Sequence, residues 1–373
     1  IAYIGTETPE TDFGEVYDGK NKLLMPAFFN AHAHSPMMLM RGYGENLTLQ
    51  DWLNTRIFPF EDKLTSEAVY YATLLAMAES LRFGIVSSSD MYYFCDDMVR
   101  AVEESGAKAN ISRSITSFAE GSVKNNDSYR EAEALIRDYH GAAEGRILID
   151  ASIHAEYTNT VTSMTEVADL AKKYGVNMHV HVSETKQEHE ECKARHGGRT
   201  PAQLLCDLGA FDTRTTAAHC VWAEEEDIEI FSEKGVTVVT CPVSNLKLAS
   251  GVCNVPALMK KGVNVAIGTD SVASNNSLNF IEEMKFFALL NKERRNDPTL
   301  ITPKETLRAA ARAGALSQGR EDCGVLAVGR KADLTVLDIG QPHMRPVHNL
   351  ANNIVYSASG SDVVLTMADG RVL

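Results

Sequence analysis

Four segments far apart in the 373-residue chain each set a metal-binding type of side chain at the end of an apolar run. They are Asn30-Ala31-His32-Ala33-His34, His179-Val180-His181-Val182-Ser183-Glu184, Ala218-His219-Cys220 and Gly268-Thr269-Asp270. His32 and His34 stand two residues apart, and on a strand that spacing points both imidazoles to the same side. Imidazole nitrogen and carboxylate oxygen are the donors that zinc and its neighbours take, and a catalytic site leaves one position open for water. A lone histidine is more often a core or surface residue, and His140, His189, His196, His343 and His348 read that way. An HxH pair alone is also weak. Chance rarely delivers HxH, HxxE, a further terminal His and a Gly-Thr-Asp at the ends of successive runs. His32, His34, His181 and Asp270 are therefore expected to grip one divalent metal ion.

Such an ion acidifies a water molecule and makes a nucleophile available near neutral pH. Asp270, a ligand that is also a base, is expected to accept a proton from that water. His219 would hold the nucleophile in line by a hydrogen bond. Glu184 lies three residues beyond His181, on the turn leaving the strand, and is the expected shuttle that carries protons to the substrate and its leaving group. The competing role for Glu184 is to satisfy free amides at a helix N-terminus; for His219 it is that of a core histidine. Nothing in this set requires an organic cofactor.

The elements that must position these residues alternate. Apolar runs at residues 23–29, 84–91, 107–115, 147–153, 176–182, 215–221, 236–241 and 263–269 are separated by stretches with apolar residues at three- and four-residue spacing, such as 67–82, 129–140, 163–173 and 223–234. Strand–helix alternation means a parallel sheet. Eight units would close a (β/α)8 TIM-type barrel of the usual ~250 residues, whose active site lies where strands end and loops begin. Neither GxGxxG nor a phosphate-binding GxxxxGK[ST] loop occurs. Past a helix expected over 302–316, the runs at 324–337, 353–357 and 363–373 are short, β-rich and broken by Gly, Asp and Asn. They predict a small appended β-sandwich formed by the chain termini, with residues 1–21 and 323–373 contributing to it and 22–322 forming the barrel.

Hydrophobic residues make up 44% of the chain and charged ones 23%, ordinary values for a soluble globular enzyme. A net charge of −14 argues against nucleic acid or an anionic membrane as partner, since phosphates need a basic face. Seven singly scattered cysteines without a CxxC pair point to a reducing compartment, and the cytoplasm is expected. No apolar run approaches the ~20 residues that span a bilayer. The chain opens on Ile1-Ala2-Tyr3-Ile4-Gly5, which reads as a strand entering a turn, with an N-terminal piece expected before it.

Pro26-Ala27-Phe28-Phe29-Asn30-Ala31-His32-Ala33-His34, His181-Val182-Ser183-Glu184-Thr185, Ala218-His219-Cys220, Pro242-Val243-Ser244-Asn245-Leu246-Lys247-Leu248 and Gly268-Thr269-Asp270-Ser271-Val272-Ala273-Ser274-Asn275-Asn276 together resemble the amidohydrolase superfamily. Within it they are similar to the 5-methylthioadenosine/S-adenosylhomocysteine deaminases, with guanine deaminases and chlorotriazine hydrolases as relatives. The resemblance spans nearly the whole chain, including Gly329-Arg330-Lys331-Ala332-Asp333-Leu334. It implies His32, His34, His181 and Asp270 around zinc, or in some members iron, and a homo-oligomer. Two-metal members place a bridging lysine at the end of the fourth strand. Here that strand reads Ile149-Asp150-Ala151-Ser152-Ile153-His154-Ala155-Glu156, without lysine, so one ion is expected.

The long connection at 35–67 has the length of a functional lid and carries Trp52 and Glu61. By resemblance Glu61 grips a ribose diol, His154 meets the purine edge, Trp52 helps close the pocket and Arg113 reaches an anionic substrate tail. The bland roles are a helix cap for Glu61 and packing for Trp52. A second arginine expected after Arg113 has no clean match, as Gly121-Ser122-Val123-Lys124-Asn125-Asn126 lacks one and Arg130 matches only approximately. The expected substrate is an adenine nucleoside: 5-methylthioadenosine, S-adenosylhomocysteine, 5-deoxyadenosine or adenosine. The alternative is a guanine or pterin deaminase or a triazine hydrolase using the same ion.

Overall fold

The computed structural model describes residues 1–12 and 14–373. Thirteen strands follow in order: β1 Lys22–Pro26, β2 Phe28–Ala33, β3 Ile85–Tyr92, β4 Lys108–Arg113, β5 Ile147–Ile149, β6 Ala151–Ile153, β7 Met178–Val182, β8 Thr215–His219, β9 Thr237–Thr240, β10 Asn264–Ile267, β11 Leu334–Asp338, β12 Val363–Ala368 and β13 Arg371–Val372. Two parallel sheets, β2-β3-β4-β5 and β6-β7-β8-β9-β10, hold the middle of the chain. The sequence expectation of a parallel α/β architecture is met.

The two sheets join at both seams. Asp150 interrupts the fourth strand between β5 and β6; its N–H still donates to Ile111 O at 3.0 Å, and a parallel bridge pairs Ile115 with Ile153. At the other seam Ala33 bridges Asp270, and the Asp270 N–H donates to His32 O at 3.0 Å. The Asn30 amide fastens that seam, donating to Thr269 Oγ1 at 2.7 Å and accepting from the Thr269 N–H at 2.9 Å. The ring thus counts eight strands, with β5 and β6 as one. Its strands are buried along nearly their whole length because helices cover the outside. The helix Asp127–Tyr139 shows the logic, burying Tyr129, Ala132, Leu135 and Ile136 on one stripe.

Three expectations are corrected. The first run splits at Ala27, because β1 leaves the barrel and pairs antiparallel with β11, Lys22 opposite Asp338. Residues 353–357 lie in a helix, Leu350–Tyr356: Asn349 caps it by accepting the Asn352 N–H, and Ile354 and Val355 are buried. A run that short carries no period by which to tell strand from helix. Residues 1–17 form no strand among those described, and the ends of the chain supply one four-stranded antiparallel sheet, β1-β11-β12-β13.

That sheet is locked to the barrel by a buried charge cluster. Lys108, the first residue of β4 and 2% exposed, donates to Asp333 Oδ2 and Asp369 Oδ1, each at 2.7 Å. The Asp369 N–H donates in turn to Asp333 Oδ1 at 2.9 Å. Removing one partner of a buried pair strands the other, at a cost of about 3–5 kcal/mol. Lys108→Met is therefore expected to lower the melting temperature while leaving turnover per folded molecule unchanged; calorimetry beside an activity assay checks both halves.

Candidate active site

His32 and His34 end β2, His181 ends β7, and Asp270 follows β10. All four converge at one mouth of the ring. His34 Nε2 lies 3.4 Å from His181 Nε2 and 3.3 Å from Asp270 Oδ1, and His32 Nε2 lies 3.5 Å from the same oxygen. Donors that share one ion at about 2.1 Å stand roughly 3.0–3.6 Å apart, and these separations fall in that span. His32 Nε2 is fully buried and makes no hydrogen bond. A buried nitrogen left that way is costly unless something else fills its lone pair. The donor set fits a divalent cation.

Each imidazole is oriented by its other nitrogen, as metal-binding histidines generally are. His34 Nδ1 donates to Met91 O at 2.7 Å and His181 Nδ1 to His154 O at 2.6 Å. His32 Nδ1 meets His179 Nε2 at 2.9 Å. Asp270 is oriented similarly, its Oδ2 accepting from Ser244 Oγ at 2.5 Å and Ser274 Oγ at 3.1 Å, which leaves Oδ1 to the histidines. Burial lowers His32 to about 4 and takes His181 well below its ordinary range. Burial also works against charge on His34, but Asp270 and the Met91 carbonyl outweigh it and carry His34 to about 9. Burial opposes ionisation of Asp270 too, but the imidazoles of His32 and His34 facing its carboxylate, with His219 behind them, hold it well below the usual carboxylate range. The cluster is an ionised carboxylate facing imidazoles of which burial makes two poor proton carriers, and a metal cation suits it better than protons.

Glu184 and His219 stand beside these donors, with 3.7 Å between Glu184 Oε2 and His219 Nε2. The amide-capping role that competed for Glu184 belongs to its neighbour. Glu188 accepts the N–H groups of Ser183 at 3.0 Å and Glu184 at 2.7 Å, inside a capping box with Thr185. The Glu184 side chain is left facing the pocket, where burial raises its pKa against the pull of His219. His219 Nδ1 donates to Asn245 Oδ1 at 2.9 Å, presenting Nε2 to the site. Ser183, His219, Cys220 and Asp270 all take positive φ, of 47°, 71°, 47° and 59°. Such strain persists where surrounding structure enforces it and concentrates at functional sites.

A pocket of about 60 Å³ opens above the donors, walled by Met37, Leu49, Trp52, Leu53 and Phe58 and carrying Glu61, His154, Glu184 and His219. Trp52 and Glu61 arrive on helical turns joined by the π turn Leu53–Ile57. Burial pushes Glu61 up to about 7, with Tyr92 and His34 working against it. His154 is held neutral, lowered to about 3 by burial and then by His34 and His32, and its Nδ1 is paired with Thr158 Oγ1 at 3.0 Å. Of the expected substrate contacts Trp52, Glu61, Arg113, His154 and Glu184, only Arg113 lies outside this pocket's lining. It lines an adjoining chamber of about 820 Å³, which shares Phe58, Glu61 and Tyr93 with the inner pocket.

Sequence reasoning missed His179, Ser244, Asn245 and Ser274 as supports. His179 carried a usable signal, since it precedes His181 at the same two-residue spacing as the His32–His34 pair. Among the described residues a third cluster, Glu156, Cys192 and His196, also lies within ligating reach. Its carboxylate is already taken by Arg195 at 2.6 Å and His196 at 2.8 Å, and burial pushes the Cys192 thiol out of its reactive range.

Known proteins resemble this chain over most of its length. The 5-methylthioadenosine/S-adenosylhomocysteine deaminase of Caldanaerobacter subterraneus is 42% identical over 374 residues, covering 100% of this chain and 86% of that protein. The 5'-deoxyadenosine deaminase of Methanosarcina mazei is 40% identical over 373 residues, covering 100% and 85%. Among solved structures, a zinc-bound adenosine deaminase from Xanthomonas campestris superposes with a TM-score of 0.88 at 35% identity, over 94% of this chain and 80% of its own. The model of the Amidohydrolase family matches residues 23–373, and with these relatives it shows that the chain belongs to the amidohydrolases.

Proposed function

We propose that the protein is a hydrolase acting on the exocyclic C–N bond of an adenine nucleoside, releasing ammonia. The observation that carries this reading is the convergence of His32, His34, His181 and Asp270 with Glu184 and His219 beside them, under an apolar slot that ends in Glu61. Relatives at about 40% identity named as deaminases of adenine nucleosides support it. A divalent ion held by the three histidines and Asp270, in our reading a single zinc or iron, supplies an acidified water as nucleophile when bound. Asp270 accepts a proton at Oδ1, which its two serine partners leave unoccupied. Glu184, raised by burial, donates a proton to the ring nitrogen next to the amino-bearing carbon, then carries one to the leaving amine. His219, fixed through Asn245, holds the attacking oxygen in line. Trp52 and the aliphatic wall take the flat base and exclude water, and neutral His154 meets its edge. The barrel carries this chemistry; the terminal sheet is one layer of the small sandwich expected from the sequence. Seven unpaired cysteines support a reducing compartment such as the cytoplasm.

Ammonia release from 5-methylthioadenosine, 5'-deoxyadenosine and adenosine tests the reading, with guanine and a triazine as controls. Turnover of guanine or the triazine alone would overturn it. Glu61 gives a second measurement. Its ionised carboxylate can accept both hydroxyls of a ribose diol, whereas the protonated form dominates below about pH 7. KM for a ribonucleoside is therefore expected to rise as pH falls through that region, and a 2',3'-dideoxy substrate to show no such rise. Glu61→Gln should raise KM for the ribonucleoside by about 10-fold or more, as two charge-assisted bonds weaken.

A further inference from the structure

The chamber beside the inner pocket is lined by six carboxylates, Glu61, Asp62, Asp96, Asp97, Glu131 and Asp138, and by one cation, Arg113. Two of the six are answered from outside, Asp97 by Arg100 at 3.4 Å and Asp138 by Arg137 at 2.8 Å. Arg113 is not free to serve a ligand. Its Nε donates to Glu131 Oε2 at 2.6 Å, another of its N–H groups donates to Ser114 O, and its guanidinium lies 4.9 Å from the centre of the Tyr93 ring. Its side chain is 16% exposed and that of Glu131 57%, so the pair forms at the rim with the arginine inward. Glu61, Asp62 and Asp96 remain without a cation. Asp96 shows the crowding, being raised by partial burial and then by Asp97, Glu131 and Asp138.

On the proposed nucleoside reading, a base over the donors and a diol on Glu61 send the 5' substituent past Phe58 and Tyr93 into this chamber. We propose that Glu131 is a specificity-determining residue: by occupying Arg113 in a carboxylate-lined chamber, it makes the enzyme select neutral or cationic 5' substituents and reject anionic ones. The strand end supplies a cation suited to a carboxylate-bearing tail, and the helix Asp127–Tyr139 cancels it with Glu131.

Three 5'-thioether adenosines test this on the metal-loaded enzyme: S-methyl (neutral and short), and S-carboxymethyl (anionic) and S-aminoethyl (cationic), which match each other in length. The natural enzyme should show the lowest kcat/KM for the carboxymethyl compound. Glu131→Gln should raise the carboxymethyl-to-methyl ratio about fivefold, the factor of a partly exposed charge pair, and lower the aminoethyl-to-methyl ratio. The gain should vanish in the Arg113→Met/Glu131→Gln double variant and shrink with added salt. A circular dichroism spectrum and melting temperature matching the natural enzyme show that each variant is folded. A natural enzyme that favours the carboxymethyl compound, or a ratio that Glu131→Gln does not move, overturns the proposal and leaves the nucleoside reading standing. Absence of turnover on all three compounds overturns both.

Discussion

Glu184→Gln is expected to keep its fold and its metal yet lose turnover by about 10²–10⁴-fold, the range over which a positioned proton donor contributes. The amide is isosteric and cannot exchange a proton at neutral pH. The change should not propagate, because the backbone amides of Ser183 and Glu184 are held by Glu188 and the Thr185 box rather than by Glu184 itself. Metal analysis and circular dichroism should match the natural enzyme, and the pH dependence of kcat should lose the limb that Glu184 imposes. Turnover within a few-fold of normal would remove this residue from proton transfer.

Asp270→Ala is expected to do more, taking metal content and activity together. The side chain faces His32 and His34 through Oδ1, and its other oxygen gathers the hydroxyls of Ser244 and Ser274. Its loss removes the anion that balances a bound cation and the charged acceptor that two buried hydroxyls share. Activity should fall at least as far as for Glu184→Gln, here with the metal absent. Chelation and dialysis of the natural enzyme give the matching control, with activity lost and then restored by added zinc. Restoration of the variant by zinc would show that the histidines alone suffice.

The site was legible wherever a chemical residue type coincided with a strand end. His32, His34, His181, His219 and Asp270 stood out because strand period and run length located them without any knowledge of contacts. Their supports were not legible. Ser244, Ser274 and Asn245 are common residue types whose meaning comes from the groups they meet, the Asp270 carboxylate for the serines and the His219 imidazole for Asn245. The engagement of Arg113 by Glu131 spans a strand, a loop and a helix, 18 residues apart, and no local pattern announces it. In the fold, the eight barrel runs were readable because each carries apolar residues over a strand's length and is followed by a helical period. The terminal region was harder: its runs are short, and whether residues 353–357 become strand or helix is decided by the Asn349 cap and by burial of Ile354 and Val355.

Strand β4 is six residues long and has a different ionic partner at each tip, Asp333 and Asp369 for Lys108 and Glu131 for Arg113. The two tips face opposite rims of the ring, one holding an accessory layer in place and the other bordering the chamber. Selection can therefore act on them independently. A lineage adapting to heat can rework the Lys108 end without altering which molecules are accepted, and one acquiring a new diet of nucleosides can rework the Arg113 end without endangering the scaffold.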